Sequence, residues 1–320
     1  MPLLEYLKIE HLRYVSRRSN EPIDILPHLS LARLTDIVLY DFLGICLHIL
    51  NHITTAMGCS LSLTARDSSG ARLTTQILLD ASDTLSKYLK NFDQSQPVTQ
   101  VALHCGSRKF SFIRTNYRFS EGNLFFKVSF PFGPETLLPT RFHNGELTAF
   151  NTLISVFTIG SASFPFVRTL TLHLDVPTLY NSFLSASHFS GVEVLHIQEP
   201  ALTTILQVKG QEHDPPSESF PFPALKTLRL TKIQEANSID AARDSPFIHF
   251  LNTCRNHGSP IDVLEVYPTG TSPRLGYLRP FDRILDQDMV GMTVKVLSHE
   301  GKGREAVCGG GNIQRLFLEY

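Results

Sequence analysis

Tryptophan is absent from this 320-residue chain, and no apolar run in it is long. Lacking tryptophan, and lacking aromatic residues interleaved with basic ones, the chain has no stacking platform for single-stranded nucleic acid. Its most apolar stretch, Ile37 to Leu50, contains Asp41 and His48 and is too short to span a bilayer. The N-terminus shows no basic region followed by an apolar core and a small-residue cleavage site, so no signal peptide is expected. Neither sign of charge dominates, with 29 Lys and Arg against 30 Asp and Glu and a formal net charge of -1. That balance offers nothing to a nucleic-acid backbone or an acidic membrane surface. Arg17-Arg18, the one notable basic pair, reads as a solvated loop. Cysteines number five and include no Cys-x-x-Cys, so buried free thiols in a reducing compartment, cytoplasmic or nuclear, are expected.

Catalytic signatures are missing too. No Gly-x-Ser-x-Gly supplies a nucleophile on a strained turn. His104-Cys105-Gly106-Ser107 is the nearest thing to a reactive cluster, and its cysteine follows a predicted strand as a structural residue would. Gly301-Lys302-Gly303-Arg304 lacks the spacing of a phosphate loop, and Gly309-Gly310-Gly311 is not placed between a strand and a helix start. His48 and His52 stand at i and i+4 on a predicted helix, but no His-Glu-x-x-His arrangement accompanies them. The sequence therefore predicts no catalytic residue, no cofactor and no metal.

A recurring pattern fills the space these absences leave: apolar, two variable residues, apolar, variable, apolar. It runs Leu4 to Ile9, Leu34 to Leu39, Val98 to Leu103, Val167 to Leu172, Val192 to Ile197, Leu225 to Leu230, Ile261 to Val266 and Ile313 to Leu318, with a further strand at Cys59 to Leu63. This is the strand signature of leucine-rich-repeat-like solenoids, in which each unit adds one strand to a parallel stack. Helices are predicted between strands: Thr74 to Leu89, one after Asp175-Val176-Pro177, one opened by Pro200, and Phe247 to Asn256 capped by Ser245-Pro246. The spacing is irregular. Residues 105 to 160 form a β-rich insertion, with Arg108 to Arg114 and Asn123 to Phe130 as extra strands around a Glu121-Gly122 turn, then a helix from about Glu146 to Phe157. Gln211 to Pro223, Tyr267 to Pro280 and Ser298 to Asn312 read as surface loops. The expectation is one α/β domain over residues 1–320, with a weak seam near residue 145.

Alternation along an extended strand gives the sheet two faces. Leu228 and Leu230 point to the core, so Thr227, Arg229 and Thr231 line the outer face. The same alignment places Tyr6, Lys8 and Glu10, then Asp36, Val38 and Tyr40, on that face, with Gln100, Ala102 and His104 further along. His173, Val194, His196, Val263, Glu265 and Tyr267 join them, as do Arg315, Phe317 and Glu319. A strip mixing aromatic, basic and acidic groups suits a protein partner better than a phosphate backbone. The candidate partner-binding residues are His173, His196, Thr227, Arg229, Glu265 and Tyr267.

Phe220-Pro221-Phe222-Pro223-Ala224-Leu225-Lys226-Thr227-Leu228-Arg229-Leu230 resembles the approach to a repeat strand in mushroom-type fungal F-box proteins with degenerate leucine-rich repeats. The stretch from Phe247-Ile248-His249-Phe250-Leu251 through Arg255, Gly258, Pro260-Ile261 and Val263-Leu264-Glu265-Val266 is similar to their recurrent unit. Leu34 to Leu39, Leu47 to Ile53 and Cys59 to Leu63 match its rhythm. The resemblance implies that the repeats recruit a protein for ubiquitination, behind an F-box that docks on a Skp-type adaptor. Here the repeat pattern begins at Leu4, and Glu21 to Pro27 only superficially matches an F-box start, so an F-box and the adaptor are not expected. An uncapped first unit would expose Leu4, Leu7 and Ile9, leaving that end aggregation-prone. The expected function is non-catalytic recognition of an unidentified protein partner. The alternatives are a small enzyme whose pocket is built by the insertion, and a non-functional fragment of a longer F-box gene.

Overall fold

The computed structural model describes residues 3–11, 27–66, 74–94, 97–106, 109–116, 124–131, 152–157, 166–174, 189–208, 220–234, 236–267, 279–297 and 303–311. Arg17-Arg18, the helix after Pro177, Ser107, the turn at Glu121-Gly122 and the strand Ile313 to Leu318 lie outside them. The protein is a mixed α/β structure with mostly parallel sheet, divided into two compact units, residues 1–164 and 165–320. No helix among the described residues is long and apolar enough to cross a membrane.

The first unit runs β1 (Tyr6–Glu10), β2 (Leu29–Leu31), β3 (Asp36–Asp41), α1 (Leu43–Asn51), β4 (Ile53–Thr55) and β5 (Ser60–Ala65). It continues through α2 (Thr75–Asp93), β6 (Gln100–Cys105), β7 (Lys109–Asn116) and β8 (Leu124–Pro131). Its main sheet has the order β1-β3-β5-β8-β7-β6, and β2 pairs with β4 apart from it. The insertion thus supplies the predicted hairpin: β6, β7 and β8 form an antiparallel meander whose last strand lies parallel to β5. This departs from a stack with one strand per repeat, because β8 takes the place beside β5 that β6 would otherwise hold. Inside, Phe110, Phe112, Phe126, Phe130 and Phe157 are buried, with the rings of Phe112 and Phe157 stacked at 4.3 Å. Arg114 is enclosed among them, its Nη1 donating to Asp93 at 2.5 Å and its Nη2 to the Phe157 carbonyl at 2.6 Å. Of the helix expected over Glu146 to Phe157, residues 152–157 are helical.

The second unit runs β9 (Thr169–Leu174), β10 (Val194–Gln198), α3 (Glu199–Val208), β11 (Thr227–Thr231), α4 (Ile239–Arg243) and α5 (Pro246–Asn256). Then come β12 (Val263–Tyr267), α6 (Arg279–Asp288), β13 (Thr293–Leu297) and β14 (Gly303–Val307). Strand order follows the chain, β9 to β13 in parallel and β14 antiparallel at the edge. One backbone device sets the parallel register. A single carbonyl before β9, β10 and β11 accepts two amides from the next segment: Arg168 from Glu193 and Val194, Glu193 from Lys226 and Thr227, Lys226 from Asp262 and Val263. A carbonyl oxygen has two lone pairs, so this satisfies two donors at one acceptor.

Before β10 and β11, tight turns bring Val192 N to the Phe189 carbonyl and Leu225 N to the Phe222 carbonyl, burying both phenylalanines. The predicted helix over 247–256 starts at Pro246, with Ser245 Oγ accepting from Ile248 N. It ends in a Schellman turn: Gly258 N donates to the Arg255 carbonyl and Ser259 N to the Cys254 carbonyl, with Gly258 at φ +78.

Two expectations change. Ser298 to Asn312 is not wholly loop, because Gly303–Val307 is a strand paired antiparallel to β13. Its burial alternates between exposed and half-buried with no apolar face, so its sequence carries no period-2 signal. Strand β13, with the helix before it, is one more helix-turn-strand unit absent from the sequence reading. The position that is Leu225 before β11 and Ile261 before β12 is Gly291 before β13, at φ +89, so the six-residue pattern is broken there.

Candidate functional site

The outer face of the second unit carries the candidate residues. Along β11 and β12 the burial alternates, with Leu228, Leu230, Leu264 and Val266 inside and Thr227, Arg229, Glu265 and Tyr267 half-exposed. Register then lines the outward residues into rows. His196, Arg229, Glu265, Lys295 and Glu305 stand opposite one another across five strands. Beyond the imidazole, that row alternates in charge. Arg229 Nε donates to Glu265 Oε2 at 2.6 Å, and Lys295 Nζ lies 3.1 Å from Glu305. The next row, Val194, Thr227, Val263, Thr293 and Val307, is uncharged and β-branched.

Two further rings extend the His196 row. His173 meets His196 edge to face at 4.9 Å, and the Tyr267 ring reaches back over β11 to lie 5.6 Å from His196. Tyr267 Oη donates to Glu265 Oε2 at 3.3 Å, so one carboxylate oxygen takes both the phenol and the guanidinium. Burial, and then the Glu265 charge, push the Tyr267 phenol up, keeping its proton in place as a donor. The structure therefore brings His173, His196, Tyr267, Glu265 and Arg229 into one connected run. Thr227 sits one row away, two residues before Arg229. The arrangement presents rings, a cation and an anion, fixed by mutual contacts.

The chemical candidates fall elsewhere. His48 and His52 have ring centroids 4.5 Å apart, but His52 Nδ1 donates to the His48 carbonyl at 2.7 Å, as a helix C-cap would. No group of three or more His, Cys, Asp or Glu placed to hold a metal occurs among the described residues. All five cysteines are buried free thiols. Burial pushes Cys46 to about 11, Cys59 to about 12 and Cys308 to about 11, which leaves little thiolate for chemistry. His104 is half-buried, and burial followed by the nearby Lys109 charge lower its pKa. Gly309 and Gly311 are held rather than loose, both donating their amides to Asp286 Oδ1.

Sequence reasoning missed Glu199, which opens α3 and is fully enclosed. Its Oε2 accepts from the backbone amide of Gln234, and its Oε1 has no hydrogen-bond partner among the described residues. Burial raises this carboxyl to about 7, opposed by the amides of Gln234 and Phe247. Nothing local marks the residue: in sequence it is one glutamate before a proline. Comparison with protein-family models, curated proteins and solved structures found no match.

Proposed function

We propose that this chain is a non-catalytic protein-recognition domain of leucine-rich-repeat-like solenoid type, resembling the repeat region of a fungal F-box protein. The observation that carries the reading is the ordered outer strip of the second unit, in which Arg229, Glu265, Tyr267, His196 and His173 touch in series. Tyrosine and arginine are the side chains most enriched where protein interfaces concentrate their binding energy. Alternating charge along the row favours a partner with a complementary pattern over a uniformly charged polymer. Recognition is assigned to this face without a Skp-type adaptor, and the buried free thiols suit a reducing compartment, cytoplasmic or nuclear.

An enzyme built on residues 105–160 is the weaker reading. Among its described residues, Phe110, Phe112, Phe126, Phe130 and Phe157 fill the interior of that insertion, which favours a packed scaffold over a catalytic pocket. The test is affinity purification of the tagged chain from fungal extract, with mass spectrometry of the proteins recovered. A partner retained by the wild type and lost from the Arg229→Ala, Glu265→Ala, Tyr267→Ala triple variant supports recognition by this face. Recovery of a Skp-type adaptor would instead make the chain a ubiquitin-ligase receptor. Chaperones alone would point to an orphaned fragment.

A further inference from the structure

In the first unit, a cleft of about 440 Å³ opens where β3, β5 and β8 end, lined by Tyr40, Thr64, Ala65, Arg66, Lys109, Ser129 and Pro131. The three strands run parallel, so their carboxyl ends meet at one edge, the side on which open α/β sheets place ligands. Register sets the floor: Tyr40 stands opposite Thr64, and Thr64 opposite Ser129, whose buried hydroxyl donates to the Phe110 carbonyl at 3.3 Å and leaves the first two to face the cleft. One pleat further along, Lys109 lies opposite Pro131. Arg66 follows β5 on the other side of Pro131. Two strand spacings, about 10 Å of backbone, separate the two cations, and their long side chains flank a proline that offers no N–H to compete.

Among the described residues neither Arg66 nor Lys109 makes an ion pair or a side-chain hydrogen bond, and no carboxylate lines the cleft. Arg66 is nonetheless positioned, its guanidinium 5.3 Å from the centre of the Tyr40 ring. That ring is braced by His11, edge to face at 4.9 Å. A guanidinium stacked on a ring face spends none of its five N–H donors on the contact, so the planar fork stays available to an oxyanion. Hydroxyls at its foot, a fork on one side and an ammonium on the other form a donor set for tetrahedral oxygens. The space exceeds what a bare anion fills.

We propose that this cleft binds the phosphoryl group of a small molecule, with Arg66 and Lys109 as its two cationic contacts and Tyr40 and Thr64 as hydroxyl donors. The site is independent of the protein-docking strip and would stand if that reading failed. Calorimetric titration of the full chain with inorganic phosphate and with ribose 5-phosphate, at constant ionic strength, tests it. Both should bind saturably, and Arg66→Gln or Lys109→Gln should each weaken binding by about tenfold or more, the loss of one charge-assisted contact. Lys127→Gln, on the same strand as Ser129 but outside the cleft, should leave affinity unchanged. Tighter binding of ribose 5-phosphate would assign a small organic phosphate as the ligand, and equal affinity the free anion. Absence of saturable binding, or binding unaffected by Arg66→Gln and Lys109→Gln in variants whose circular dichroism matches the wild type, would overturn the proposal.

Discussion

Replacing Glu199 by Gln should remove a pH dependence that the wild-type chain cannot avoid. The carboxyl is fully enclosed, and burial raises it from 4.5 to about 7. A folded state that holds its proton more tightly than the unfolded chain gains stability at low pH. That gain is complete below pH 4.5 and is lost as pH rises through 7. Each pH unit between the two values is worth about 1.4 kcal/mol, so the full effect is about 3 kcal/mol. About 2.5 kcal/mol of it falls between pH 5 and pH 8. Glutamine keeps a carbonyl to accept the Gln234 amide but has no proton to lose. Its NH2 group would stand where Oε1 has no hydrogen-bond partner among the described residues, a cost of about 1–3 kcal/mol that does not vary with pH. The informative quantity is therefore the stability difference between variant and wild type, not either value alone. Asp282, which burial also raises to about 7, is present in both proteins and cancels in that difference. Urea unfolding followed by far-ultraviolet circular dichroism at pH 5, 6, 7 and 8 gives it directly. The difference should move in favour of Glu199→Gln by about 2.5 kcal/mol across the range. A difference constant with pH would refute the argument that an enclosed carboxyl is titrating.

Further outcomes follow from the packing. Asp93→Ala should destabilise the first unit by about 3–5 kcal/mol, because it leaves the Arg114 guanidinium buried without its counter-charge; chemical denaturation measures this. Ser245→Ala should cost about 1 kcal/mol by removing the acceptor for Ile248 N at the start of α5, read by the same method. The Arg229→Ala, Glu265→Ala, Tyr267→Ala triple variant should shift the melting temperature little, since a half-exposed ion pair contributes only about 0–1 kcal/mol.

Periodicity carried much of the fold into view. Strand residues that must alternate between core and solvent announce themselves, so the outward placement of Thr227, Arg229, Glu265 and Tyr267 was legible from spacing alone. Ser245-Pro246 and Gly258 marked the ends of α5 because capping chemistry is local. What escaped depends on contacts distant in sequence. Arg66 and Lys109 belong to one cleft only because β8 inserts beside β5, and no local pattern encodes that order. Glu199 owes its raised pKa to the enclosure that long-range folding builds, and its hydrogen bond to an amide 35 residues away. At Gly291 a backbone requirement, positive φ, displaced the apolar residue on which pattern recognition relies.

The most direct test of the recognition face is the affinity of a purified partner, recovered with the wild-type chain, for that chain and for its variants by calorimetry. The account predicts that the Arg229→Ala, Glu265→Ala, Tyr267→Ala variant binds at least about 30-fold more weakly, as expected when residues worth about 2 kcal/mol or more are removed. His249→Ala, at an exposed position on α5, should bind as the wild type does. Equal affinity of the triple variant and the wild type would contradict the assignment of recognition to this strip.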